Sequence, residues 1–158
     1  MTVSLDEIDI QLLTELQDDA DRANVELARI VGLSPAATLH RVRRLKESGV
    51  VRKIAAMVDP EVAGFPLRVF VSITLDRHDE ASHRRLERAL RDIPQVIRAD
   101  WVSGETDALL EMVARSIADM QRTQNLLAAR GGAARIQTLL AMSELKPLSP
   151  LPLRSDAR

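Results

Sequence analysis

Residues 24–48 read NVELARIVGLSPAATLHRVRRLKES, and the five positions at their centre, Val31-Gly32-Leu33-Ser34-Pro35, decide how the chain begins to fold. Glycine suits a left-handed helix end, leucine packs back, serine caps a new helix, and proline is pre-set for its first position. A short helix with Leu27, Ile30 and Val31 inward is therefore expected before the turn, capped by Asn24. A second helix over 35–48 follows it. Two helices across so tight a turn, the second one basic, form the helix-turn-helix pattern.

Working outward, Ser4 and Glu7 have capping-box spacing, and Leu5, Ile8, Leu12, Leu13 and Leu16 recur on one face of a first helix. On the helix over 35–48, at about 100° per residue, Leu39, Val42 and Leu45 share one sector and are expected inward. Ala37, His40 and Arg44 centre on the opposite side, with Arg41 and Arg43 flanking. Arginine can bond two acceptors of a guanine at once, so Arg41 and Arg44 are the leading base-reading candidates, with Thr38 and His40 nearer the helix start and Ser34 heading it. Arg43, Lys46, Arg52 and Lys53 are assigned to phosphates.

The formal net charge of −1 conceals a split. Residues 1–28 hold eight acids and one base, whereas residues 29–53 hold seven bases and one acid. A compact basic block is what a phosphate-binding surface requires, whatever the sum over the chain. At 158 residues, 46% apolar and 28% charged, the composition is that of a globular protein. No apolar run is long enough to span a bilayer, no basic and apolar leader opens the chain, and cysteine is absent, so a cytoplasmic protein without disulfides is expected. His78 and His83 have no second ligand at metal spacing. Neither a metal, a cofactor nor a catalytic residue is expected.

Residues 50–58 are apolar enough for a strand, either a wing or a linker that pairs with a second copy of itself. From Phe65 the period changes to two. Leu67, Val69, Val71, Ile73 and Leu75 alternate with Arg68, Phe70, Ser72 and Thr74. A helix over 82–92, a strand over 96–103, a turn at 104–107, a strand over 108–114, a helix from Ser116 to the glycine pair 131–132 and a last strand over 136–145 complete the order β-α-β-β-α-β. That is the ferredoxin-like arrangement of four antiparallel strands with both helices on one face. The uncovered face is expected to join subunits. The domains are placed at 1–50 for the helix-turn-helix, 51–64 for a linking strand and hinge, 65–146 for the ferredoxin-like domain and 147–158 for a proline-rich, disordered tail.

The chain resembles the Lrp/AsnC (feast/famine) family of transcriptional regulators over nearly its whole length. The resemblance rests on residues 5–9 (LDEID), 24–28 (NVELA), 31–35 (VGLSP), 41–45 (RVRRL) with Gly49, and 102–107 (VSGETD). It implies an α+β protein with a winged helix-turn-helix domain and a RAM-type ferredoxin-like domain. It also implies dimers, often assembled into octamers, on pseudo-palindromic double-stranded DNA, with an amino acid or related small molecule bound between dimers. Carried over by position, Gly104, Glu105, Thr106, Asp107 and Thr138 are the effector-site candidates. Amides of a glycine turn can hold a carboxylate, and Asp107 or Glu105 can accept from an ammonium group. Many members carry an aromatic residue after that aspartate, where this chain has Ala108. An architectural nucleoid-type DNA binder is the alternative function. A siroheme-decarboxylase-like enzyme is the remote one, since the basic outward face would have no purpose in it.

Overall fold

A computed structural model describes residues 4–153, which form two units, residues 4–57 with 146–153 and residues 58–145. The first unit holds α1 (Glu7–Asp18), α2 (Asn24–Val31) and α3 (Pro35–Glu47). Helix α1 starts two residues later than the Ser4 cap and Leu5 indicate. Asp6 is the cap, accepting from the Asp9 amide at 2.8 Å, and the Asp9 side chain returns to the Asp6 amide at 3.3 Å. The capping box is therefore Asp6/Asp9 and not Ser4/Glu7. Helix α2 is capped by the Ala23 backbone without a side-chain bond. Asn24, expected as that cap, is instead the first helical residue, and its amide donates to the Pro35 carbonyl at 2.8 Å, tying α2 to the start of α3. Gly32 adopts φ 67°, the left-handed conformation that glycine reaches without strain, and Ser34 caps α3 by accepting from the Ala37 amide.

Leu12, Leu13, Leu27, Val31, Val42 and Leu45 form the core of this unit. Helix α3 is rotated from the sector drawn above. Thr38 is fully buried beside Val42 and Leu45, while Leu39 stands 52% exposed. The Thr38 hydroxyl donates to the Ser34 carbonyl at 3.1 Å, and that bond satisfies its polarity inside the core. Over 50–58 no strand forms among the described residues. Val50 and Val51 pack on the core, Ile54, Met57 and Val58 are exposed, and a strand lacks the partner that would give it a ladder.

The tail also departs from expectation. Residues 147–153 lie along the helical unit, where the Gln17 amide accepts from the Leu151 N–H at 2.7 Å and donates to its carbonyl at 3.3 Å, and Leu153 joins the core periphery. Its remainder, 154–158, lies outside the described residues. Helix α1, residues 50–57 and the two tail leucines enclose a mainly apolar crevice of about 610 Å³.

In the second unit β1 (Leu67–Leu75), α4 (Glu80–Arg91), β2 (Val96–Trp101), β3 (Ala108–Ala114), α5 (Ile117–Gly131) and β4 (Ala133–Leu140) follow in the expected order. The sheet order is β2-β3-β1-β4 and every pairing is antiparallel. Strand β4 begins and ends earlier than its apolar run indicates. It runs beside β1, from Ala133 opposite Leu75 to Leu140 opposite Val69. Val69, Val71, Ile73, Leu75, Leu110 and Met112 face Leu86, Ile93 and Leu127, burying one face of the two central strands β1 and β3. On the other face Phe70, Leu109 and Leu139 remain about half exposed, beside the Arg68–Glu111 ion pair at 2.6 Å.

Candidate DNA-reading helix and effector turn

Asp9 lies on the stripe that carries Leu12, Leu13 and Leu16, so α1 delivers an acid into the apolar contact with α3. Its side chain is 1% exposed. Two guanidinium groups of α3 meet it there. Arg41 Nη1 donates to Asp9 Oδ1 at 2.9 Å and to Asp6 Oδ2 at 2.7 Å, and Arg44 Nη2 donates to Asp9 Oδ2. The Arg41 bond holds the Asp6 carboxyl below the usual range, with the capping bond from the Asp9 amide second, and the same two carboxylates raise the Arg41 pKa further. A buried carboxylate requires such partners, because its charge is costly without them.

The arrangement redistributes the sequence candidates. Thr38 is withdrawn from any groove by its burial, a correction to its place among the DNA contacts. Arg41 is partly buried and committed to two acids. Arg44 keeps nearly half its surface and several of its five donors, so it can still reach a phosphate from the position Asp9 fixes. His40, Arg43, Lys46, Arg52 and Lys53 are exposed. Ser34 is exposed as well, its oxygen already accepting from Ala37. Asp9 was not singled out in the sequence, although an acid in register with three leucines was its signal.

The turn between β2 and β3 is fastened to the end of β1. Asp107 Oδ2 accepts from the Leu75 N–H at 2.8 Å, its other oxygen lies 3.2 Å from His78 Nδ1, and its own N–H donates to the Ile73 carbonyl at 2.9 Å. Thr106 adds a hydroxyl bond to the same carbonyl at 2.8 Å. Gly104 has φ 130° and, with Glu105, is exposed at the tip. Asp107 and Thr106 are thus occupied in holding the turn, which leaves Glu105 as its outward carboxylate. Thr138 sits elsewhere along the sheet, opposite Val71, where its hydroxyl accepts from the Gln124 amide of α5 at 2.8 Å. His78 and Gln124 were not among the site candidates, since only the fold brings them to Asp107 and Thr138. His83 packs against Trp101 in a tilted contact, with ring centroids 4.7 Å apart and the planes inclined by 46°. Among the described residues no cluster of acids and histidines could hold a metal ion, and no helix is long and apolar enough to cross a membrane.

Residues 5–52 match a winged helix-turn-helix DNA-binding family, and residues 68–151 match the Lrp/AsnC ligand binding domain. A leucine-responsive regulatory protein of Rhizobium meliloti is 37% identical over 145 residues, which is 91% of this chain and 93% of that protein. The crystal structure of a Neisseria meningitidis transcriptional regulator in complex with L-methionine superposes with a TM-score of 0.88 at 29% identity, covering 94% of this chain and 97% of that one. A feast or famine regulatory protein from Mycobacterium tuberculosis, complexed with L-methionine, superposes with a TM-score of 0.81 at 29% identity, covering 90% and 95% of the two chains.

Proposed function

The chain belongs to the Lrp/AsnC family of transcriptional regulators, and from that premise we propose that it reads a pseudo-palindromic duplex site as a homodimer or as a larger assembly such as an octamer, in the cytoplasm. The observation that carries the DNA-binding part is the Asp9 anchor. It fixes α3 by its inner arginines and leaves His40, Arg43 and Lys46 on the outer side, a rigid basic helix of the width a major groove admits. A dimer is supported by the outer sheet face, where Phe70, Leu109 and Leu139 are apolar and uncovered within one chain. Two-fold pairing would set the spacing of two such helices on a symmetric site.

The effector is proposed to be an amino acid bound at the turn over 104–107, with its carboxylate toward the glycine turn and its ammonium group toward Glu105. Asp107 positions that turn and does not itself meet the ligand, because both of its oxygens are engaged. Thr138 would join the site only from another subunit or after a rearrangement at Gln124.

Selection of bound genomic fragments, with and without pooled amino acids, tests both parts. Enrichment of discrete symmetric sites that responds to the pool supports the regulator. Uniform DNA binding with a steep salt slope and no preferred site would favour an architectural role instead. Calorimetric titration of the standard amino acids against the wild type and Glu105→Ala checks the effector separately, and no heat with any of them would remove it.

A further inference from the structure

The rotation of α3 puts an apolar side chain where polar ones were expected. Thr38, Val42 and Leu45 face the core with Arg41 beside them, so at about 100° per residue the side away from the core centres on Ala36, His40, Arg43 and Glu47, with Leu39 on its flank next to Arg43. All five are exposed, Leu39 at 52%. Leu39 and Arg43 stand one turn apart, and Ala36 precedes Leu39 by three positions, so the three make one continuous ridge across the first half of the helix. This is the half of a helix-turn-helix recognition helix that meets base edges. Isolated exposed leucines are ordinary on protein surfaces, and this one gains meaning from its neighbours. It lies between small residues that cannot keep a base pair at a distance and an arginine that can read one. In the major groove the apolar group within reach of such a side chain is the C5 methyl of thymine.

We infer that Leu39, with Ala36 beside it, reads a thymine methyl in each half-site, and that Arg43 bonds the O6 and N7 of a guanine next to it. This inference rests on the DNA-binding reading of α3 and deepens it. It also moves Arg43 from the phosphates to the bases and makes Arg41 a positioning residue that acts through Asp9. The preferred half-site therefore contains a T·A pair adjoining a G·C pair, the first recognised by contact area and the second by hydrogen bonds.

The test removes the methyl group alone. Sites are first selected with the full chain from a random duplex pool, and each thymine of the selected site is then replaced singly by deoxyuridine. Affinity at fixed salt is expected to fall about fourfold at one thymine per half-site, the loss of one buried methyl. Leu39→Ala, a favourable helix substitution at an exposed position, is expected to bind the thymine site with a similar loss and to show no further loss on the deoxyuridine site. Its affinity for an unrelated duplex and its salt slope stay unchanged, since an apolar side chain displaces no counterion. Deoxyuridine that is neutral at every thymine, or losses from Leu39→Ala and from deoxyuridine that simply add, would overturn the assignment while leaving DNA binding by α3 intact. Failure of the wild-type chain to enrich any site would overturn the DNA-reading helix itself, and the thymine assignment with it.

Discussion

The two units solve the same problem, holding an exposed element still, with a carboxylate in each case but with different partners. In the helical unit Asp9 grips α3 through two cations, and the side chains it grips are the ones a sequence reader takes for DNA contacts. In the sheet unit Asp107 grips the turn over 104–107 mainly through a backbone amide, that of Leu75, with His78 as a partner on the surface. The first device depends on charge and the second on an acceptor. Arg41, Arg44 and Asp107 thus have a prior structural duty, and the DNA and effector contacts proposed above pass to Arg43, His40 and Leu39 in one unit and to Glu105 in the other.

Removing both cations tests the first half of that contrast and carries the largest expected effect. In Arg41→Ala/Arg44→Ala the Asp9 carboxylate stays buried with no cation, which should cost the helical unit about 3 kcal/mol. Amide hydrogen exchange in α1 and α3 should quicken while β1, β3 and β4 are unaffected. Unchanged exchange with weakened DNA binding would mean that the two arginines are readers and not anchors.

Asp107 is expected to respond to shape more than to charge. Asp107→Ala leaves the Leu75 N–H without its acceptor and should cost the sheet unit about 1–2 kcal/mol, whereas Asp107→Asn keeps an oxygen there and should recover most of it. Thermal unfolding followed at Trp101, which lies in this unit, reports the difference. An asparagine variant as unstable as the alanine one would show that the pairing with His78 matters more than the amide, and the contrast between the units would fail.

Gln17 offers a smaller effect. Gln17→Ala removes both bonds to the Leu151 backbone at an exposed site, so a loss of about 0.5–1 kcal/mol is expected, with faster proteolysis within 147–153 as its sensitive sign. Equal proteolysis in both proteins would show that Leu153 alone seats the tail.

Much of the fold is legible because its signals are local. The turn at 31–35 names its own conformation residue by residue, and the two-residue alternation over 67–75 states which face of β1 is buried. What escapes is decided by partners distant in the chain. Ser4/Glu7 and Asp6/Asp9 have the same spacing, and only the arginines of α3 favour the second. Thr38 looks like an outward polar residue until its hydroxyl finds the Ser34 carbonyl, a bond that lets it sit in the core without an unsatisfied donor while Leu39 stays exposed. The tail composition resembles that of a free segment, since nothing in residues 147–153 announces Gln17. At the turn over 104–107 the glycine and the acids became candidates through the family resemblance, and which acid faces inward depended on the Leu75 amide.

The smallest predicted effect isolates charge from capping in the helical unit. Asp6 is both the α1 cap and the outer partner of Arg41, and asparagine caps a helix about as well as aspartate, so Asp6→Asn removes only the charge. The Asp6 carboxyl is held below its ordinary value, first by the Arg41 hydrogen bond. A depressed carboxylate contributes stability that is fully present above the unfolded value of about 3.9 and is lost as pH falls through the lower folded value. Wild type should therefore exceed Asp6→Asn in α3 amide protection from neutral pH down to about 4, and the two should converge below it. The raised Arg41 pKa adds nothing in this window, because arginine stays charged in both states. The gap should be small, since Asp6 is half exposed and Asp9 still holds Arg41, and it should shrink further with salt. A gap that persists unchanged in acid would place the Asp6 contribution in its geometry and not in its charge, which would bring this corner of the helical unit under the same rule as the Asp107 turn.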